Sequence, residues 1–223
     1  MPNWCENTLT ITGDEKIVKK VMDWWEKHES EKKKKGLFDT FYPMPKELED
    51  TTSPNSKNDE ILVEKFGANN WYDWRLNNWG VKWDTNEVFI SHRNETDIVL
   101  SFDTPWGPPI VFYEKLIRDY SDIHIKASYY EGGMDFCGTW DSDFGEETLE
   151  ISDIKAKCLE IYKKTHKDNV DGFEFRERLE NIYETNFSIS EDINVYEIFD
   201  DYYFEENLND AEFCKEYNIK KEK

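Results

Sequence analysis

An α+β fold with an antiparallel sheet is predicted by three observations in the sequence. Short runs alternate apolar and polar residues with the period of a half-buried strand. Between them lie two segments whose apolar residues recur every three or four positions, as on one face of a helix. Turn-forming clusters, Arg93-Asn94-Glu95-Thr96-Asp97 and Glu131-Gly132-Gly133, then join neighbouring strand-like runs as hairpin connections do.

The first alternating run, Thr8-Leu9-Thr10-Ile11-Thr12, ends at Gly13 and puts Cys5, Asn7, Leu9 and Ile11 on one face. Asp14 offers a helix start, and Ile17, Val18, Val21, Met22 and Trp25 follow at helical spacing. This helix fades into Glu31-Lys32-Lys33-Lys34-Lys35-Gly36, where basic residues suit the negative end of the helix dipole and glycine stops the helix. The lysine run therefore reads as a solvated helix end rather than a nucleic-acid patch. Residues 37–86 read as an irregular insertion with a short helical pattern at Ile61, Leu62 and Phe66. Alternation returns in Val88-Phe89-Ile90 and in Ile98-Val99-Leu100-Ser101-Phe102. After Pro105-Trp106-Gly107-Pro108-Pro109, a second helix turns Phe112, Leu116, Ile117 and Tyr120 inward. A strand with Ile123, Ile125, Ala127 and Tyr129 on one face follows, and a further strand, Met134 to Trp140, is added as a hairpin. Strand, helix, strand, strand, helix, strand is the split βαβ, ferredoxin-like pattern, assigned to residues 1–149. A fold of this kind names no function.

The texture changes near Glu150. Ile154, Cys158, Ile161 and Tyr162 predict one helix, and Phe175, Leu179, Ile182 and Tyr183 another. Between Arg178 and Lys215 stand eleven Asp or Glu and no Lys or Arg, interleaved with Phe187, Tyr196, Phe199, Tyr202, Tyr203, Phe204 and Phe213. Residues 150–223 are thus expected to form an acidic helical extension. It either packs its aromatics on the main domain or offers a surface that imitates phosphates to a basic partner.

With 49 acids against 28 bases, the 223-residue chain carries a formal charge of −21, which excludes broad binding to a phosphate backbone as the driving force. Aromatics make up 16% of residues, with nine Trp, so this is a folding sequence and not an acidic disordered one. No stretch approaches the roughly 18 apolar residues of a membrane span, and Met1-Pro2-Asn3-Trp4-Cys5-Glu6 lacks the features of a secretory signal. Cys5, Cys137, Cys158 and Cys214 have no CxxC spacing and are expected to be reduced thiols of a cytosolic protein. His28, His92, His124 and His166 show no HExxH or helical carboxylate pattern, so no structural zinc site and no cofactor are expected.

Three aromatic-rich stretches stand out: Met1-Pro2-Asn3-Trp4-Cys5-Glu6-Asn7, Asn70-Trp71-Tyr72-Asp73-Trp74-Arg75 continuing to Asn78-Trp79-Gly80-Val81-Lys82-Trp83-Asp84, and Trp106-Gly107-Pro108-Pro109. With Tyr130-Glu131-Gly132-Gly133-Met134-Asp135-Phe136-Cys137-Gly138, they resemble the Api92-like family over residues 1 to about 145. Val81 stands where that family usually has Thr, and no counterpart is recognised after residue 150. The resemblance implies a ferredoxin-like domain and a phage or plasmid setting. It implies no chemistry.

Five large rings, Trp71, Tyr72, Trp74, Trp79 and Trp83, lie within thirteen positions, with Arg75 and Lys82 among them. On one helix Trp71, Trp74, Arg75 and Trp79 share a face. Rings beside a cation make a stacking platform for a planar base, and Arg or Lys pairs with its phosphates. The competing reading buries these rings as core and holds Arg75 by Asp73 or Asp84. Trp74, Arg75, Trp79, Lys82, Trp106 and Glu131 are expected to converge on one concave site, since loops at strand ends carry binding groups. Trp106 is stiffened there by Pro105 and Pro108, and Glu131 is placed to accept a ribose hydroxyl or base amine.

Catalytic patterns are sparse. Asp141, Asp143, Glu146 and Glu147 are oxygen donors suited to calcium or magnesium, but Glu146 and Ser152 stand where an EF-hand needs Gly and Glu. Asp143-Phe144-Gly145 lacks the rest of a kinase set, and Asp84 with Asp103 is a carboxylate pair that sequence cannot place together. The expectation is a non-enzymatic counter-defence protein that sequesters a nucleotide-like signal. An acidic inhibitor docking on a host nucleic-acid enzyme is the alternative, and a nuclease or hydrolase using metal at Asp141 and Asp143 a third reading.

Overall fold

Strand β1 (Trp4–Thr12) shows what alternation alone dictates: Cys5, Asn7, Leu9 and Ile11 are all buried. The computed structural model describes residues 2–13, 15–30, 35–54, 60–186, 195–199 and 210–220. Strand β1 lies between β3 (Asp97–Pro105) and β4 (His124–Glu131), antiparallel to both, so Leu9 faces Leu100 on one side and Ala127 on the other. Strand β2 (Val88–Arg93) pairs antiparallel with β3 and carries an irregularity between Ile90 and His92. The sheet order is β2-β3-β1-β4-β5-β6, with β5 spanning Phe136–Asp141 and β6 Gly145–Glu150, and its first four strands have the ferredoxin-like arrangement. Helix α1 (Glu15–Ser30) buries Ile17, Val18, Val21 and Trp24, and α6 (Ile110–Asp119) buries Phe112, Tyr113 and Leu116. These join Leu9, Ile11, Ile98, Leu100 and Ile125 in one core. The helix start expected at Asp14 and most of the lysine run lie outside the described residues.

The insertion is not irregular. It contains α2 (Leu37–Phe41), α3 (Lys46–Glu49), α4 (Glu60–Phe66) and α5 (Trp71–Trp79). Helices this short show too few turns to establish a periodicity, and some of their caps come from far along the chain. Asp84 accepts the N–H groups of Phe38 at 2.8 Å and Asp39 at 2.9 Å, and Thr85 Oγ1 accepts that of Leu37 at 2.9 Å. Together they cap α2 where Gly36 supplies no side chain. The Asp84 carboxylate sits so close to Gly36 that a Cβ there would collide with it. Asp103 has no part in this arrangement; it lies on β3 opposite Glu6.

The expected strand from Met134 is β5 (Phe136–Asp141), and a second added strand, β6 (Gly145–Glu150), follows it. Strand β6 is exposed along almost its whole length, which leaves no apolar alternation for sequence to show. The chain divides into two compact units, 1–131 with 139–146 and 132–138 with 147–223. Within the second, α7 (Ile151–Thr165) and α8 (Gly172–Asn186) bury Ile154, Cys158 and Tyr162 against Phe175, Leu179 and Tyr183. A two-stranded parallel ladder joins β7 (Val170–Asp171) to β8 (Ile219–Lys220), with α9 (Val195–Ile198) and α10 (Ala211–Glu216) between them in the chain. Its aromatics pack among themselves: the Tyr162 and Phe175 rings lie 4.7 Å apart, and Phe175 and Tyr217 5.6 Å apart. Phe187, Tyr202, Tyr203 and Phe204, which the phosphate-imitating surface needs, lie outside the described residues. Among the described residues no helix is long and apolar enough to cross a membrane.

The Asp84 cap has a pH signature. Burial pushes its carboxyl from 3.8 up to about 6, against the lowering effect of its N–H bonds to Asp39, Phe38 and Thr85. A raised folded-state value means that Asp84's contribution to stability is full below about 4 and is lost as pH rises through about 6. The stability difference between the wild type and Asp84→Asn, from urea unfolding at pH 4 to 7, should fall by about 2 to 3 kcal/mol over that window.

Candidate ligand-binding groove

Helix α5 begins where Asn70 Oδ1 accepts the N–H groups of Tyr72 at 3.0 Å and Asp73 at 2.9 Å. It ends at Gly80, which adopts φ +83° and donates its N–H to the Arg75 and Leu76 carbonyls. Only glycine serves here, because a Cβ would also press on Val111 of α6. These two caps fix which way the aromatic face of α5 turns. Trp74 and Trp79 point into the core as a T-shaped pair with ring centroids 5.7 Å apart. Trp79 is 1% exposed and donates its indole N–H to the Tyr42 carbonyl at 2.9 Å, so its polar atom is satisfied by backbone.

Arg75 is held between rings. Its guanidinium carbon lies 5.2 Å from the Trp71 ring centre and 5.0 Å from that of Trp79, and Nη1 donates to the Lys82 carbonyl at 3.3 Å. Burial draws its pKa down, against the fields of Asp84, Asp39 and Glu49. Arg75 makes no ion pair with Asp73 or Asp84: Asp73 accepts from Asn70 at 2.6 Å, and Asp84 caps α2. It therefore ties the end of α5 to the following segment instead of facing a ligand.

The opposite wall is the turn after β3. Thr104 Oγ1 donates to the Gly107 carbonyl at 2.7 Å and accepts from Asn7 Nδ2 at 2.7 Å. The Trp106 N–H donates to the Asn3 carbonyl at 3.0 Å. Within these bonds Trp106 is held at φ +74°, a left-handed conformation that costs a bulky residue about 1 to 2 kcal/mol. The residue is nevertheless 48% exposed. Between the two walls runs a groove of about 420 Å³ lined by Tyr72, Leu76, Gly80, Val81, Lys82 and the segment from Pro105 to Pro108. Lys82 Nζ stands 4.6 Å from the Trp83 ring centre, and Trp83 lies 6.1 Å from the half-exposed Trp4. The groove thus offers an exposed indole, a phenol and an ammonium.

The six residues expected to converge do not all do so. Lys82 and Trp106 line the groove; Arg75 braces it from behind; Trp74 and Trp79 belong to the core. Glu131 is 2% exposed at the end of β4 and is not on the groove wall. Burial, followed by the field of Glu131, drives the Cys5 thiol well above its ordinary value, so Cys5 is a poor nucleophile. All four cysteines are buried thiols. Tyr72, one of the five clustered rings but not of the six residues expected to converge, lines the groove, and Trp83 and Trp4 pack side by side next to Lys82. Among the described residues one group can hold a metal, His124 with Asp141 and Asp143, and none of these lines the groove.

The strained turn can be tested without a ligand. Glycine relieves a positive φ that alanine does not, so Trp106→Gly should be about 1 kcal/mol more stable than Trp106→Ala in urea unfolding.

Residues 78–174 match the family described as the ferredoxin-like domain in Api92-like protein. The match begins after the opening Met1-Pro2-Asn3-Trp4-Cys5-Glu6-Asn7 motif and continues past residue 150 to take in α7, beyond the reach of the sequence resemblance. A crystal structure of a protein Api92 from Yersinia pseudotuberculosis is similar at 10% identity and a TM-score of 0.40, over 67% of this chain and 98% of that one. No curated protein matches.

Proposed function

We propose that the protein is a non-enzymatic binder that holds a nucleotide-like molecule in the groove between α5 and the Trp106 turn. A planar base stacks on Trp106, and a phosphate pairs with Lys82. The observation that carries this reading is Trp106 itself. A tryptophan serving only as a plug would bury its ring and sit in relaxed backbone. This one keeps a strained backbone and leaves nearly half its surface to solvent, the combination met where strain positions a functional group. Lys82 supplies a local cation in a protein of net charge −21, where an anion finds little attraction elsewhere. Sequestering a nucleotide signal is the counter-defence role that suits a mobile-element setting.

Isothermal titration of the full chain against mono-, di- and cyclic ribonucleotides tests the proposal. At least one should bind, with Trp106→Ala and Lys82→Ala each weakening it tenfold or more. Absence of heat across the panel, or binding untouched by both variants, would overturn it.

A further inference from the structure

The geometry points to a divalent metal site formed by His124, Asp141 and Asp143, separate from the groove. Sequence spacing hides it because His124 opens β4, whereas Asp141 closes β5 and Asp143 stands in the turn beyond. Ser142 brings them together. Its N–H donates to the Ile125 carbonyl at 2.9 Å, and its Oγ accepts the Ile125 N–H at 3.2 Å. The aspartates on either side of Ser142 are thereby set against the neighbouring His124.

His124 Nε2 lies 3.2 Å from Asp141 Oδ1 and 3.3 Å from Asp143 Oδ2, and one ligand atom from each residue falls within 4.8 Å of the others. A single N–H can aim well at only one acceptor, so two nearly equal approaches from different carboxylates leave one poorly served. Two of the three separations, 3.2 and 3.3 Å from His124 Nε2, are those expected of ligands about 2.0 to 2.1 Å from a tetrahedral zinc ion, which stand about 3.3 Å apart.

Exposure favours the same reading. The Asp143 side chain is 70% exposed, which gives an ion a path in and leaves its remaining coordination positions to water. One imidazole nitrogen with two carboxylate oxygens suits a first-row divalent ion such as zinc or cobalt better than calcium, which takes oxygen alone. Where the ring is protonated, binding releases that proton.

Calorimetric titration of the chelator-treated full chain with zinc chloride, and visible absorption with cobalt chloride, provide the test. One ion per chain should bind, and zinc should raise the melting temperature. His124→Ala and Asp143→Asn should each weaken binding at least tenfold, while His92→Ala should leave it unchanged. Asp143→Asn alters an exposed side chain and so guards against loss of fold in His124→Ala. No bound ion, or an ion held equally well by both site variants, would overturn the assignment and mark any binding as adventitious contact with the acidic surface.

Discussion

The two N–H groups of the Asn7 amide, 3% exposed on the central strand, are shared among the Cys5 carbonyl at 2.7 Å, Thr104 Oγ1 at 2.7 Å and the Phe102 carbonyl at 3.2 Å. Through it the start of β1 is clipped to the end of β3. Thr104 passes the constraint to the Gly107 carbonyl, and Asn3 receives the Trp106 N–H. A buried amide is costly to leave unpaired, so this small network determines where the chain leaves β3 and how Trp106 stands. The Trp106 ring is thus presented by hydrogen bonds that begin in the middle of the sheet. A strained residue persists only where its surroundings over-determine it, and here the surroundings are three successive polar contacts.

The tryptophans divide by role along the same line. Trp24, Trp74, Trp79 and Trp140 fill the core, whereas Trp4 and Trp106 remain near half exposed. Arg75 braces the core side: the rings of Trp71 and Trp79 hold its guanidinium, and its hydrogen bond fixes the Lys82 carbonyl. Each cation–π contact contributes about 0.5 to 2 kcal/mol, comparable with the cost of holding Trp106 in left-handed backbone. The groove's two walls are therefore stiffened by different means. One is braced by a cation between rings, the other by a chain of hydrogen bonds.

The sheet was legible because alternation is a local property. Cys5, Asn7, Leu9 and Ile11 face inward as their spacing requires, and the strand–helix order followed from the same reasoning. The insertion was less legible. Helices α2 to α5 are short, and the cap of α2 comes from Asp84, some 45 residues on, which no local window contains. Asn70 and Gly80 cap α5 in the structure, but a helical face does not announce whether it looks inward. Trp74 and Trp79 were placed with the ligand, and the core took them. His124 required knowing which residue of β4 meets the turn after β5. That is a matter of tertiary pairing through Ser142, to which residue spacing gives no access.

Fluorine NMR of the chain labelled with 5-fluorotryptophan tests most directly the claim that Trp106 is held out for a ligand. Replacing each of the nine Trp in turn by Phe assigns the resonances. A nucleotide titrated into the full chain should shift the Trp106 signal, with smaller changes at Trp83 and Trp4, and leave Trp74 and Trp79 in place. A Trp106 signal that stays fixed while core signals move, or a spectrum unchanged at millimolar nucleotide, would contradict the account.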